Sequence, residues 1–268
     1  MNKLSTPPAF SLKQGTAPLL ISIPHLATRI PDELIATMTD TAQSCDDTDW
    51  HLDRLYDFAQ DLGASVLTPG YSRYVIDLNR PPDGASLYPG RSTTGLCPVD
   101  TFNEEPLYLP GQEPDDAEQA RRLETIWQPY HQALQEELDR LRTRHGRVLL
   151  WDAHSIRSRI PRFFDGVLPD FNIGTADDSS ATPGLADELV QRVADHGHYT
   201  AVANGRFKGG YITRKHGDPA RGIHAIQLEL AQATYMRETR PYEYDDHAAG
   251  KVAPVIKDLI VHALQRIA

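Results

Sequence analysis

Apolar residues in this 268-residue chain fall into short continuous runs alternating with longer stretches of helical spacing. Residues 18–23 (PLLISI), 148–151 (VLLW) and 222–230 (GIHAIQLEL) are near-continuous apolar runs. Runs of that length are expected of strands buried on both faces of a parallel sheet. Residues 65–68, 73–78 (RYVIDL) and 199–203 are β-branched or aromatic and read as further strands. Between them lie helical patterns. Pro31 opens a short helix running to Met38, a usual place for proline. Leu52, Leu55, Phe58, Ala59 and Leu62 keep helical spacing up to a stop at Gly63. Residues 115–144 give the clearest helix, acidic at the start and basic at the end, with Pro129 expected to kink it. Two more helices are expected, from Thr182 to near Gly197 and from Ala248 to Ile267.

The remaining stretches are irregular. Residues 1–17 read as a polar lead-in carrying Pro7 and Pro8. Residues 81–114, 156–180 and 206–219 read as long loops. The first carries Tyr88, Phe102, Leu107 and Tyr108 and is expected to cover a site rather than to be disordered. Alternation of strands with helices predicts an α/β fold, a mixed and largely parallel sheet flanked by helices, as one domain over residues 1–268.

Composition narrows the partners. With 27 Lys+Arg against 37 Asp+Glu the net charge is −10, which argues against a nucleic-acid partner. A local arginine can still bind an anionic small molecule. No stretch approaches the ~20 apolar residues of a membrane span, and residues 19–23 are too short for a signal segment. Two cysteines without a CxxC pair, Cys45 and Cys97, fit a reducing cytoplasm and offer no thiolate metal site. The sequence is silent on oligomeric state.

Ligands of open α/β sheets bind at the carboxyl ends of the strands. Polar groups delivered there include His25, Asp77 with Asn79 and Arg80, Asp152 with His154, and Glu229. Two histidines and one carboxylate form a common ligand set for catalytic zinc. Here the carboxylate could be Asp46, Asp47, Asp49 or Asp53, residues that would equally suit the start of the following helix. Arg80 suits bidentate capture of a carboxylate, or a structural pair with Asp77 or Asp83. Arg73, Lys208, Arg214 and His216 could add to an anion pocket, as could Tyr211 on the same loop. Glu229 lies in an apolar strand, where a carboxylate must be paired, metal-linked or protonated. No GxSxG, GxGxxG or GxxxxGK[ST] motif is present.

Seven segments together resemble the N-formylglutamate amidohydrolase family. They are LLISIPH (19–25), DTDWHLDRLYDFA (47–59), YSRYVIDLNRPPD (71–83), LYPGRSTTGLCP (87–98), VLLWDAHSIRS (148–158), NGRFKGGYITRKHG (204–217) and HAIQLELAQATYM (224–236). The resemblance implies a fold similar to zinc-dependent exopeptidases and hydrolysis of N-formyl-L-glutamate to L-glutamate and formate, the last step of a histidine-degradation route. It implies His25 and His154 as zinc ligands and Glu229 as general base. Asn79-Arg80 resembles the pair with which zinc carboxypeptidases hold a terminal carboxylate. An HxxE ligand motif is missing, since Thr28 stands three residues after His25. The family's acidic position ahead of the helix points to Asp49 instead. Asp152 or Ser155 is expected to orient a ligand histidine. The same donors would also accept Co, Mn or Fe. Two other functions stay open: hydrolysis of another N-acyl amino acid, and non-catalytic binding of an acidic amino acid.

Overall fold

The computed structural model describes residues 8–87 and 90–268. Residues 1–7, with Pro7 of the expected lead-in, and Tyr88 lie outside the described residues. The strands are β1 (Phe10–Lys13), β2 (Leu19–Ser22), β3 (Ser65–Pro69), β4 (Val148–Ile156), β5 (Phe171–Gly174), β6 (Ala201–Ala203) and β7 (Ile223–Ala231). The helices are α1 (Asp32–Ile35), α2 (Asp40–Gln43), α3 (Leu52–Leu55), α4 (Asp116–Arg122), α5 (Gln128–His145), α6 (Leu185–Asp195), α7 (Tyr211–His216) and α8 (Asp246–Arg266).

All seven strands join one sheet in the order β1-β3-β2-β4-β7-β5-β6. The central strands β3, β2, β4 and β7 run parallel, while β1 and the β5–β6 pair run against them. β4 and β7 pair over nine positions, Val148 with Ile223 through Ile156 with Ala231. That long pairing brings His154 beside Glu229 and Asp152 beside Gln227.

Side-chain alternation decides which face carries the polar groups. Leu149, Trp151 and Ala153 of β4 and Ile226, Leu228 and Leu230 of β7 point to one face. There they pack on Leu185 and Leu189 of α6 and on Val252, Ile256 and Leu259 of α8. Val148 and Leu150 of β4 and Ala225 of β7 point to the other face, against Tyr130, Leu134, Leu138 and Leu141 of α5. Asp152, His154, Gln227 and Glu229 continue this second face toward the carboxyl ends of the strands. The apolar halves of β4 and β7 hold α5, and their polar halves are left for a site.

Several expected elements differ. Residues 73–78 form no strand; they are an irregular buried segment pinned by local bonds such as Val75 N–H to Ser72 O and Asp77 N–H to Leu96 O. Continuous burial there imitates a strand's composition without a neighbouring edge to pair. β1 lies in the expected lead-in, β5 in the expected 156–180 loop and α7 in the expected 206–219 loop. β4 continues through Ile156, so His154 sits inside the strand rather than beyond it. The expected helix at 52–62 is α3 followed by a 3-10 turn at Asp57–Ala59. Pro31 precedes α1 as its cap instead of lying within it. Ahead of Pro129 the long helix opens into a π turn at Leu123–Trp127. Pro129 has no N–H to give to the preceding turn, and a widened turn accommodates it. Residues 81–114 carry no helix or named strand among the described residues, only isolated bridges such as Asp100 with Pro106. No helix among the described residues is long and apolar enough to cross a membrane.

Candidate active site

His25, Asp49 and His154 meet beyond β2 and within β4, with ligand-capable atoms all within 4.8 Å of one another. Asp49 is the hub. Its Oδ2 lies 3.1 Å from His154 Nδ1 and 3.7 Å from His25 Nδ1. The backbone N–H of Ser155 also donates to Oδ2, at 3.2 Å. Asp49 is tied to β2's end by its own N–H, which donates to His25 O at 3.0 Å.

Both imidazoles therefore turn Nδ1 inward, and each Nε2 faces a second buried acid. His25 Nε2 lies 2.8 Å from Asp77 Oδ1, and His154 Nε2 lies 3.2 Å from Asp152 Oδ1. Asp77 also accepts from the Asn79 N–H at 2.9 Å and from Arg73 Nη2 at 2.7 Å. Burial opposes the charge on Asp77, but His25 and Arg73 hold it well below the ordinary carboxylate range. The same contest, won by the two imidazoles, lowers Asp49. Burial disfavours a charged His154, yet Asp152 and Asp49 on its two sides raise it well above the ordinary imidazole value.

A divalent cation fits this set. Two nitrogens and a carboxylate oxygen are donors that zinc and its neighbours accept. His25 Nδ1, buried and facing Asp49, has no hydrogen-bond partner among the described residues. A cation there would satisfy it. Asp152 Oδ1, buried and likewise without a hydrogen-bond partner among the described residues, lies 3.2 Å behind His154 Nε2. An acid behind each ligand histidine is the arrangement that fixes ring orientation in metal sites.

Other candidate acids have other partners. Asp46 pairs with Arg240, Nε to Oδ1 at 2.9 Å. Asp47 accepts from Tyr74 Oη and Phe102 N–H, both at 2.8 Å, and from Arg157 at 3.1 Å. Asp53 is exposed on α3.

Beside the cluster opens a cavity lined by His25, His154, Glu229, Gln227, Asn79 and three arginines, Arg73, Arg80 and Arg206. Phe102, Ile156, Phe163 and Phe207 supply its apolar wall. Its space, about 560 Å³ with the open mouth, is within the range of small-molecule sites. Burial, foremost, pushes Glu229 up to about 8, against the pull of His154. Gln227 links Glu229 to the loop above: its Nε2 lies 3.4 Å from Glu229 Oε2, and its Oε1 accepts from Gly210 N–H at 2.6 Å.

Placement sorts the expected anion-binding residues. Arg80 lines the cavity and donates to Thr94 O at 2.9 Å, to Thr94 Oγ1 at 3.2 Å and to Asn79 O at 3.3 Å, rather than to Asp77 or Asp83. Arg73 lines its floor but is bound to Asp77. Asn79 lines it too, with its amide engaged: Oδ1 accepts from Ile212 N–H at 2.8 Å, and Nδ2 lies 2.9 Å from His154 Nε2. Tyr211 packs on Trp127 and His131, and Arg214 is exposed with Nε donating to Gly209 O; neither lines the cavity. His216 is buried against Gln135, and Lys208 pairs with Asp177 at the surface. Ser155 acts on Asp49 through its N–H, while its Oγ accepts from Tyr235 Oη at 2.7 Å, away from the histidines. Asp77, expected only as a strand-end acid or a partner of Arg80, instead backs His25, while Gln227 and Arg206 carry no expectation from the sequence beyond the NGRFKGG segment.

An α/β sheet that gathers two imidazoles, a carboxylate and a further buried acid at its strand ends defines a hydrolase-like scaffold with a cation-ready centre. More narrowly, the chain belongs to the N-formylglutamate amidohydrolase family, whose profile matches residues 17–236. The N-formylglutamate deformylase of Pseudomonas putida is 54% identical over 250 residues, covering 93% of each chain. That of Pseudomonas aeruginosa is 50% identical over 250 residues, covering 93% of this chain and 94% of its own. The crystal structure of N-formylglutamate amidohydrolase from Ralstonia eutropha JMP134 superposes with a TM-score of 0.80 over 97% of this chain and 98% of that one. At 24% identity that likeness speaks for the fold.

Proposed function

We propose that this protein is a metal-dependent amidohydrolase that converts N-formyl-L-glutamate to L-glutamate and formate. The observation that carries the reading is the His25–Asp49–His154 cluster lying against Glu229 at the floor of an arginine-lined cavity. Relatives about half identical over 93% of the chain, named N-formylglutamate deformylases, support the substrate.

His25, Asp49 and His154 would hold one divalent ion, with zinc as the first choice for this donor set. When bound, such an ion supplies a Lewis acid for the formyl carbonyl and an acidified water. Glu229 takes a proton from the attacking water and delivers it to the amide nitrogen. The water oxygen bonds to the formyl carbon, the C–N bond breaks, and formate and the free amine leave. A carboxylate that takes the proton from the water can return it to the departing nitrogen, serving both transfers. Arg80 holds a substrate carboxylate. Arg73 and Asn79 keep Asp77 and His154 in register, and Asp77 and Asp152 fix the two imidazoles. Buried, unpaired Cys45 and Cys97 suit a reducing cytoplasm.

Formate release from N-formyl-, N-acetyl- and N-succinyl-L-glutamate, with the corresponding acids measured for the last two, tests the reading. Turnover confined to the formyl compound supports it. Faster turnover of a longer acyl group would move the assignment to another N-acyl amino acid. Binding without turnover of any of them would make the protein a binder.

A further inference from the structure

We propose that Arg206 is the specificity-determining residue that holds the substrate's side-chain carboxylate, opposite Arg80; this rests on the hydrolytic reading above. The cavity takes its positive charge from three arginines. Arg73 is committed at the floor, its Nη2 on Asp77 at 2.7 Å and its Nη1 3.8 Å from Asp49. Arg80 and Arg206 line the same cavity.

Their supports match. Arg80 donates to Thr94 O and Thr94 Oγ1, at 2.9 and 3.2 Å. Arg206 donates through Nη2 to Ser92 O at 3.2 Å and through Nε to Phe163 O at 2.7 Å. One three-residue stretch, Ser92 to Thr94, therefore steadies both guanidinium groups. Arg162 steadies that stretch in turn, donating to Ser92 Oγ at 3.1 Å. The Arg206 guanidinium also lies over the rings of Phe207 and Phe163, at 5.3 and 5.7 Å from their centroids. Carbonyl oxygens and ring faces fix a guanidinium without cancelling its charge.

The result is a cavity with two held cations in a chain whose net charge is −10. A ligand with one carboxylate needs one of them. A formylated dicarboxylic amino acid needs both, one for each carboxylate, with its amide left for the cluster and Glu229. Arg214, the more obvious basic residue of the same segment, is exposed and outside the lining.

The test compares kcat/KM for N-formyl-L-glutamate and for N-formyl-L-glutamine, whose side chain has the same shape and no charge, in wild type, Arg206→Met, Arg206→Lys and Arg214→Met. Removing one partner of a close charge pair is expected to lower the glutamate value in Arg206→Met by about 30-fold or more. The glutamine value should stay within about threefold of wild type, so the preference collapses. Arg206→Lys should lie between and answers the question if the methionine variant does not fold; Arg214→Met should match wild type. An unchanged glutamate-to-glutamine ratio, or equal losses on both substrates, overturns the proposal while leaving the hydrolytic reading intact. A wild-type protein that hydrolyses neither overturns both.

Discussion

His25 Nε2 and Asp77 Oδ1 lie 2.8 Å apart, both buried, so the carboxylate decides which ring nitrogen His25 turns toward Asp49. Asp77 is in turn gripped by Arg73 and by the Asn79 N–H. Replacing Asp77 with Asn keeps the shape and removes the charge behind the ring. Metal affinity is expected to weaken by about 10- to 100-fold, read by competition with a chelator. Unchanged affinity would show that Asp77 serves only the fold.

Separate roles for the acids at 46–53 predict separate phenotypes. Asp49→Asn should abolish stoichiometric metal binding, because Asp49 stands between both Nδ1 atoms. Asp47→Asn should keep the metal and lose stability, roughly 1–3 kcal/mol for a disturbed buried acceptor serving Tyr74, Phe102 and Arg157. Asp53→Asn, on an exposed position, should change neither. Metal content and urea unfolding of the three variants would distinguish these outcomes; metal retained by Asp49→Asn would refute the ligand assignment.

Glu229→Gln keeps the bond geometry toward Gln227 and removes the proton carrier. Turnover should fall by about 10²- to 10⁴-fold with KM near the wild-type value. A variant that keeps wild-type turnover would transfer the acid–base role to another group.

Much of the scaffold was legible in the sequence because its central strands are apolar for most of their length. Leu19 to Ile23, Val148 to Trp151 and Ile223 to Leu230 could hardly be anything else. His25, His154 and Glu229 stood out as candidates because polar groups interrupt those runs near their ends. Short edge elements were not: β1 and β5 are four residues each, and α7 carries three basic residues in its last turn. RYVIDL at 73–78 misled, since a buried loop can be as apolar as a strand, and only pairing partners tell them apart. The partners of Asp77 and Arg206 could not be read for a related reason. They lie far off in the chain: His25 is 52 residues from Asp77, and Ser92 is 114 from Arg206.

Behind the site, His131 and His216 stack at 5.9 Å, both buried. Burial, chiefly, lowers His131 to about 3 and His216 to about 4. Unfolding releases both to an ordinary value near 6.5, so the unfolded chain binds more protons between pH about 6.5 and 3. The stability that these neutral rings contribute is complete above pH about 6.5 and is lost as pH falls through that window. Urea unfolding at pH 7 and pH 4.5 should show a smaller acid loss in His216→Asn than in wild type. Equal losses would mean that this pair does not govern the acid limb.

Formate release from N-formyl-L-glutamate by chelator-stripped protein, before and after addition of one equivalent of zinc, tests the central claim most directly. Activity should vanish on stripping and return with the metal, and the His25→Ala and His154→Ala variants should fail to recover it. Full turnover in protein verified to be metal-free would contradict the proposed role of the His25–Asp49–His154 cluster.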